Sequence, residues 1–310
     1  MSHESSLPAP PPRLRIGVVG AGRVGAVLAA ALRAAGHEVV AAAGESDASR
    51  GRIDALLPGV AVDKPSAVAR ACDLLLLTVP DDMLGNVVSV LAHSGALREG
   101  QVVVHTSGRH GLEVLAPAVA LGARAIALHP AMTFTGTEVD LDRLAGCVFG
   151  LTAADGEREL AASLVDDLGG RPMWVPESRR ALYHAGLAHG ANHLVTLVTE
   201  AMELLAAAGA DDPAATLRPL LTAALDNALE HGDAALTGPI VRGDVNTVRA
   251  HLDSIRVEAP TTMPSYLALA RATLSRAVTD GRLTALRALA INDVLDHAAA
   301  VEDRSVRWTT

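Results

Sequence analysis

Histidines that follow apolar segments are the side chains of this sequence best suited to proton transfer. His105 belongs to HTSG and His129 to LHPAMTF, each just after an apolar run, and His184 lies in the helix-patterned segment ALYHAGLAHGANHLVTL. Imidazole titrates near neutral pH and can act as a general acid. A residue before proline is held extended, which suits a fixed donor at His129. We expect His184 to be the first candidate for a proton donor and His129 the second, with His105 structural.

Two further histidines have the spacing of metal ligands. His189 and His193 are four residues apart, so they share one face of a helix. The segment HGANH lacks the glutamate of an HExxH motif, and no third ligand is evident. The sequence therefore predicts no metal site.

Residues 14 to 25 read LRIGVVGAGRVG, an apolar run followed by Gly20-x-Gly22-x-x-Gly25 and then by a helix pattern. In a strand-turn-helix context these glycines allow a tight turn, close approach to a pyrophosphate and close packing of helix on strand. The phosphates would lie at the helix N-terminus. We expect dinucleotide contacts along the loop and at the end of the strand over 73–79, from Gly20, Ala21, Gly22, Arg23, Val24, Gly25, Thr78, Val79 and Pro80.

The end of the second strand indicates which dinucleotide is bound. An acidic residue there would hold the ribose hydroxyls of NAD, but Ala43 occupies the strand end. Glu45 has the spacing to be that acid, whereas nearby serines and arginines favour a 2′-phosphate. We predict NADP, contacted by Ser46 and Arg50, with NAD as the alternative.

Strands and helices alternate up to Pro176, and the short strands are almost wholly apolar. This pattern predicts an α/β Rossmann fold, a doubly wound, mostly parallel sheet covered on both faces, over residues 14–176. Residues 177–310 show only long helical patterns and are expected to form an all-α domain. Residues 1–13 are expected to be a disordered leader without a targeting signal.

Composition restricts the chemistry and the partners. The net charge of −9 argues against nucleic acid and anionic membranes, and no stretch approaches the length of an apolar membrane span. The two cysteines, Cys72 and Cys147, are expected to be free thiols in a reducing cytoplasm. Lys64 is the only lysine and lies in a loop, so lysine-based catalysis is nearly excluded.

With these motifs placed, the chain resembles a bacterial family of Rossmann-type oxidoreductases whose C-terminal helical domain has no known function. The matching segments are GVVGAGRVG (17–25), HTSG (105–108), LHPAMTF (128–134), YHAGLAHGANHLV (183–195) and LTGPIVRGD (236–244). More distantly the chain is similar to pyrroline-carboxylate reductase, prephenate dehydrogenase, ketopantoate reductase and deazaflavin oxidoreductases, in the 6-phosphogluconate dehydrogenase-like superfamily. The resemblance implies a homodimer through the helical domain.

The resemblance also indicates site residues. The matching segments contain the substrate candidates Ser107, Gly108, Tyr183, Thr237 and Arg242. Hydroxyacid dehydrogenases and the usual ketopantoate reductases carry a catalytic lysine four residues before an asparagine on the first helix of the second domain. Asn192 matches the asparagine, but the lysine position is Ala188.

These observations together predict an NADPH-dependent reductase that transfers hydride to the C=O or C=N carbon of a small carboxylate-bearing substrate, such as a ketopantoate-like 2-keto acid. A histidine would supply the proton. Ser107, Asn192 and Arg242 would orient the substrate, with Arg242 binding the carboxylate. Two alternatives remain open: an NADP(H)-binding sensor or partner-binding protein without turnover, and hydride exchange with a deazaflavin.

Overall fold

The computed structural model describes residues 13 to 306, so the expected leader lies outside the described residues except for Arg13. The chain divides into two compact units after Ala188. This division lies further along the chain than the join expected near Pro176. The difference has a physical reason, because Arg180 is completely buried within the first unit and ties the following helix to it.

The first unit is built on one eight-stranded sheet. Its strands follow the spatial order β3-β2-β1-β4-β5-β6-β7-β8, and every adjacent pair is parallel except β6 and β7. The expected doubly wound, mostly parallel sheet is confirmed. The strands are β1 Arg15–Val19, β2 Glu38–Ala43, β3 Ala61–Val62, β4 Leu74–Leu77, β5 Val102–His105, β6 Arg124–Pro130, β7 Val148–Ala153 and β8 Arg171–Trp174.

Helices cover both faces of this sheet. Alternate residues of a strand point to opposite faces, and so β4 divides its four leucines. Leu74 and Leu76 join the core beneath one set of helices, and Leu75 and Leu77 join the core beneath the other. The helices are α1 Arg23–Ala34, α2 Asp47–Leu56, α3 Pro65–Ala71, α4 Asp81–His93, α5 Ala116–Val119, α6 Val139–Leu144, α7 Arg158–Asp167 and α8 Arg180–Leu187.

The reversal of direction at β7 shapes the end of β6. Because the two strands are antiparallel, Gly150 is paired directly with His129. A Cβ atom on Gly150 would lie 2.5 Å from the hydroxyl oxygen of Tyr183. Because Gly150 has no side chain, the Tyr183 hydroxyl can occupy this space beside His129.

The second unit contains helices and connecting turns, with no strand among its described residues. A π-helical turn at Ala188–Asn192 follows α8 directly. The core of the unit comes mainly from three helices, through residues such as Leu252, Leu267 and Leu295. None of the described helices is long and apolar enough to cross a membrane. The helices are α9 His193–Ala207, α10 Pro213–His231, α11 Pro239–Arg242, α12 Val245–Glu258, α13 Met263–Thr279 and α14 Ala285–Val306.

Candidate active site

The loop after β1 has the geometry that a dinucleotide-binding turn requires. Gly20 has φ of +93°, a conformation that favours glycine. A Cβ atom on Gly25 would lie 2.2 Å from Thr78 Oγ1, so this glycine lets α1 pack closely against the end of β4. A Cβ atom on Gly22 would meet only the carbonyl oxygen of Gly20, at 3.8 Å. Gly22 thus has open space beside it, where a ligand can approach the backbone.

The N-terminus of α1 fits an anionic ligand. Its N-cap residue is Gly22, which supplies no side-chain cap, and its first turn contains no acidic residue. The first N–H groups of a helix and its dipole attract negative charge. The residues present therefore fit the pyrophosphate of a dinucleotide.

The end of β4 supports this loop from beneath. The Thr78 hydroxyl donates a hydrogen bond of 2.7 Å to the carbonyl oxygen of Gly20. A Cβ atom on Gly20 would lie only 2.8 Å from backbone atoms of Thr78 and Val79, so this position has no room for a side chain. Asp81 and Asp82 lie inside the first turn of α4, and Pro80 is its N-cap residue. Asp81 pairs with Arg109 at 3.4 Å.

The segment after β2 contains the residues expected to select the 2′-phosphate. Ser46 is the N-cap of α2, and its hydroxyl accepts a hydrogen bond from Ser49 N. Arg50 donates to the carbonyl oxygen of Glu45 and to the Asp47 carboxylate, and these three residues are exposed. Such a surface pair is weak, so Arg50 remains available to an incoming phosphate.

A second loop lies against the start of α1. Asp140 is completely buried and accepts hydrogen bonds from the backbone N–H groups of Thr135 and Gly136, at 2.8 and 2.7 Å. A Cβ on Gly136 would lie 2.6 Å from Arg52 Nε and 3.0 Å from Arg23 Cα. Asp140 thus fixes this loop beside two arginines, along a groove of about 560 Å³ that Arg52 lines.

A polar cluster occupies the end of β6. His129 Nδ1 and the Tyr183 hydroxyl oxygen are 2.9 Å apart, and the His129 and His184 rings meet edge to face with centroids 5.8 Å apart. A Cβ atom on Gly108 would lie 3.0 Å from His129 Nε2 and 2.5 Å from His184 Cδ2. Four of the residues singled out from the sequence therefore lie together at the end of β6: Gly108, His129, Tyr183 and His184.

Burial determines the charge state of His129. Burial, together with the positive charge of Arg180 and the neighbouring His184, lowers the pKa of this imidazole to about 4. His129 is therefore neutral at pH 7. Burial also raises the pKa of the Tyr183 hydroxyl above its ordinary value, so this hydroxyl keeps its hydrogen and is neutral at pH 7.

His105 is structural, as expected. Its side chain is completely buried, with Nε2 2.8 Å from the Gly111 carbonyl oxygen and Nδ1 accepting a hydrogen bond from Ser107 N at 3.1 Å. Nε2 must then carry the hydrogen and donate to Gly111. Ser107 is buried too, and its hydroxyl accepts from His110 N. Ser107 thus supports the turn after β5.

Two residues that sequence reasoning missed hold this turn in place. The Arg180 guanidinium is completely buried and donates to the Ser107 carbonyl oxygen at 2.6 Å and to Thr152 Oγ1 at 3.0 Å. The Glu177 carboxylate accepts from the N–H groups of Leu112 and Glu113. Arg180 has no ion-pair partner among the described residues. Neither residue belongs to a recognisable sequence motif, and their position shortly after β8 is the only signal that could have pointed to them.

The remaining sequence candidates lie in the second unit. Asn192 ends the π-helical turn, and Thr237 and Arg242 are exposed. Asp244 caps α12 by accepting a hydrogen bond from Thr247 N. His189 and His193 approach to 3.0 Å between their Nδ1 atoms, and no group of three metal-ligating side chains occurs among the described residues.

Two family models match the chain. Residues 2–130 match a Rossmann-like domain, and residues 147–273 match a domain of unknown function, DUF2520. The chain combines a Rossmann-like domain with a DUF2520 domain. The DUF2520 match begins ahead of β7, so it includes the last two strands of the sheet together with α8.

Solved structures share this fold at low sequence identity. A Bacteroides fragilis protein provisionally described as an NADP oxidoreductase is 20% identical over 84% of this chain and 98% of its own, with a TM-score of 0.72. An imine reductase from Pseudomonas is 19% identical over 93% of this chain and 100% of its own, with a TM-score of 0.64. A reductive aminase from Aspergillus terreus was solved with NADPH and ethyl levulinate. It is 16% identical over 91% of this chain and 99% of its own, with a TM-score of 0.60. No curated protein matches the sequence.

Proposed function

We propose that this protein is an NADP(H)-dependent reductase that transfers hydride to the C=O or C=N carbon of a small carboxylate-bearing substrate. The observation that carries the proposal is the glycine loop. Gly22 has open space while Gly20 and Gly25 are packed against β4, and the His129 cluster lies at the same edge of the sheet. Ligands of such sheets bind outside the carboxyl ends of the strands.

The residues of the first unit suit NADP(H). The N-terminus of α1 would bind the pyrophosphate, and Ser46 and Arg50 would meet the 2′-phosphate. Bound NADPH would supply the hydride. The solved relatives named above include proteins described with NADP or NADPH, which supports the same choice.

The substrate also needs a proton on its oxygen or nitrogen, and we assign the donor to His184. His129 has a pKa of about 4, so it holds no transferable extra proton at neutral pH. With the Tyr183 hydroxyl donating to its Nδ1, His129 would carry its hydrogen on Nε2, on the side of Gly108, where it would orient the substrate. His184 packs against the same glycine and can deliver a proton there.

Cofactor binding and turnover test the proposal separately. Calorimetry with NADPH and NADH should show tighter binding of NADPH. Consumption of NADPH is then screened against 2-keto acids, ketopantoate among them, and cyclic imines. Binding without oxidation of NADPH by any of these substrates would favour a sensor over a reductase.

The donor assignment is tested with His184→Asn. We expect this variant to lose ~100-fold or more in kcat while it binds NADPH normally, since general acids contribute factors of this size. His93→Asn is the matched control, because His93 is exposed and bonds to its own helix at Ser89. Full turnover by His184→Asn would remove His184 from the mechanism.

A further inference from the structure

The second unit contains a groove that none of the site residues above occupies. Its volume is about 320 Å³, and helices α9, α11, α12 and α13 form its walls. Most of the lining is apolar, with contributions from Leu197, Ala201, Leu204, Ile240 and Leu269. Grooves of this size hold small organic molecules.

The polar part of this groove contains a carboxylate, several hydroxyls and the His251 ring, whose Nδ1 is 2.9 Å from the Tyr266 hydroxyl oxygen. The Ser265 hydroxyl oxygen is 2.6 Å from Glu200 Oε2 and 2.9 Å from the Thr262 carbonyl oxygen. A hydroxyl has one hydrogen, so it cannot satisfy both acceptors at once. The Thr262 carbonyl belongs to the N-cap residue of α13 and accepts the first backbone N–H of that helix, so the Ser265 hydrogen can go to Glu200 Oε2. Glu200 Oε1 has no hydrogen-bond partner among the described residues and can accept from an external N–H or O–H donor.

Thr262 adds a second unsatisfied group. Its side chain is 4% exposed and lines the groove, and its hydroxyl has no hydrogen-bond partner among the residues that the structure describes. Leaving a buried hydroxyl unpaired costs free energy. A ligand with several hydrogens could supply partners to this end of the groove.

Charge distinguishes the kinds of ligand. Glu200 faces a largely apolar surface, and no ion pair of Glu200 occurs within the described part of the chain. A carboxylate in such surroundings favours a cation and disfavours an anion. Tyr266 lines the same groove and offers an aromatic ring, which also attracts cations.

We propose that this groove binds a small primary amine with an apolar body. The ammonium group donates to the Glu200 carboxylate and to the unpartnered Thr262 hydroxyl, and the hydrocarbon part packs against the leucines. An ammonium has three N–H donors, which is enough for both of these acceptors. This proposal stands on residues of the second unit and does not depend on the proposed reductase activity.

Calorimetry on the full chain at pH 7 tests the proposal with three probes of similar shape: benzylamine, benzyl alcohol and benzoate. We expect benzylamine to bind at least 10-fold more tightly than the other two. Glu200→Gln keeps the shape and removes the charge, and it should raise the Kd of benzylamine at least 10-fold. Glu203→Gln, on the exposed side of the same helix, should leave that Kd within twofold.

Two results would overturn the proposal. One is binding of benzyl alcohol or benzoate as tight as that of benzylamine, or no binding of benzylamine at all. The other is an unchanged Kd in Glu200→Gln. NADPH affinity, measured on the same samples, reports on the dinucleotide site independently, so failure of one assignment is distinguishable from failure of the other.

Discussion

The three glycines of the loop after β1 have different neighbours, so the same substitution should have different effects. Gly22→Ala meets no close atom, and its backbone φ of −78° suits alanine. We expect this variant to fold normally and to lose at least 10-fold in NADPH affinity, because the methyl group projects into the space through which a phosphate approaches. Calorimetry and thermal unfolding on the same sample measure both quantities.

Gly156→Ala is the matched control for that experiment. Gly156 has no atom within 4 Å of the added Cβ, and it lies in the short helical turn Asp155–Glu157, outside the loop after β1. Its NADPH affinity should equal that of the parent protein. If Gly22→Ala binds NADPH as well as this control does, the phosphates do not lie against Gly22.

His105 should make the fold sensitive to acid. Burial lowers its pKa from 6.5 to about 4 in the folded state. The folded state thus favours neutral imidazole, and this contribution to stability is complete above pH 6.5 and lost as the pH falls towards 4. The loss is roughly 3 kcal/mol for a change of this size.

Urea unfolding between pH 7 and pH 4 measures that contribution. His105→Asn should be less stable than the parent at pH 7 and should lose less stability on acidification. His93→Asn, at an exposed position, should follow the parent curve. Equal pH dependence in all three proteins would contradict the assignment to His105.

At the scale of elements, Arg180 joins the turn after β5 to β7. Its guanidinium bonds to Ser107, Gly150 and Thr152, and its side chain is completely buried. Arg180→Met should lower the free energy of unfolding by about 3 kcal/mol, because buried acceptors lose charged donors. Arg179→Met, at the exposed neighbouring position, should change it by less than about 0.5 kcal/mol.

The titration of His129 adds a second readout for Arg180, since the charge of Arg180 also lowers the pKa of His129. In Arg180→Met this pKa should rise towards its ordinary value. NMR titration of the imidazole resonances would detect the change. A purely structural role would reduce stability without moving that titration.

The elements themselves were largely predictable, because their signals are local. The run of leucines in β4 and the glycine pattern after β1 depend on neighbours in sequence, and both were expected. Arg180 and Glu177 were not, because each acts on a turn some seventy residues earlier in the chain. A charged residue such as Arg180 is usually exposed, and nothing in the neighbouring sequence predicts that its side chain is buried.

The division of the chain after Ala188 differs from the predicted join near Pro176 for a related reason. Pro176 and the change to helical periodicity marked a boundary in the sequence, yet α8 remains part of the first unit. The π-helical turn that follows was also unforeseen, since its sequence AHGAN continues an ordinary helical pattern. Packing of Arg180 and Tyr183 against the sheet decides where the unit ends.

At the scale of the whole molecule, two helices of the second unit show almost no buried residues. Within the described residues α9 has none, and α10 has only Leu217. Val195, Leu220 and Leu229 are 67%, 65% and 79% exposed. Helices are stabilised mainly by burying an apolar face, so we expect a second copy of the chain to cover these two.

Light scattering coupled to gel filtration tests this homodimer. We expect Val195→Glu with Leu229→Glu to shift the protein to the monomer mass. Val119→Glu, at an exposed position of the first unit, should leave the mass unchanged. A monomeric parent protein, or a doubly substituted protein that remains dimeric, would place the contact elsewhere.

The position of the single lysine has a practical consequence. Lys64 is exposed and directly precedes α3 in a chain that contains no other side-chain amine. An amine-reactive fluorophore would therefore attach to one side chain, beside the edge strand β3. With the terminal amine blocked, a single dye would report on this edge of the sheet in every molecule, without any engineered cysteine.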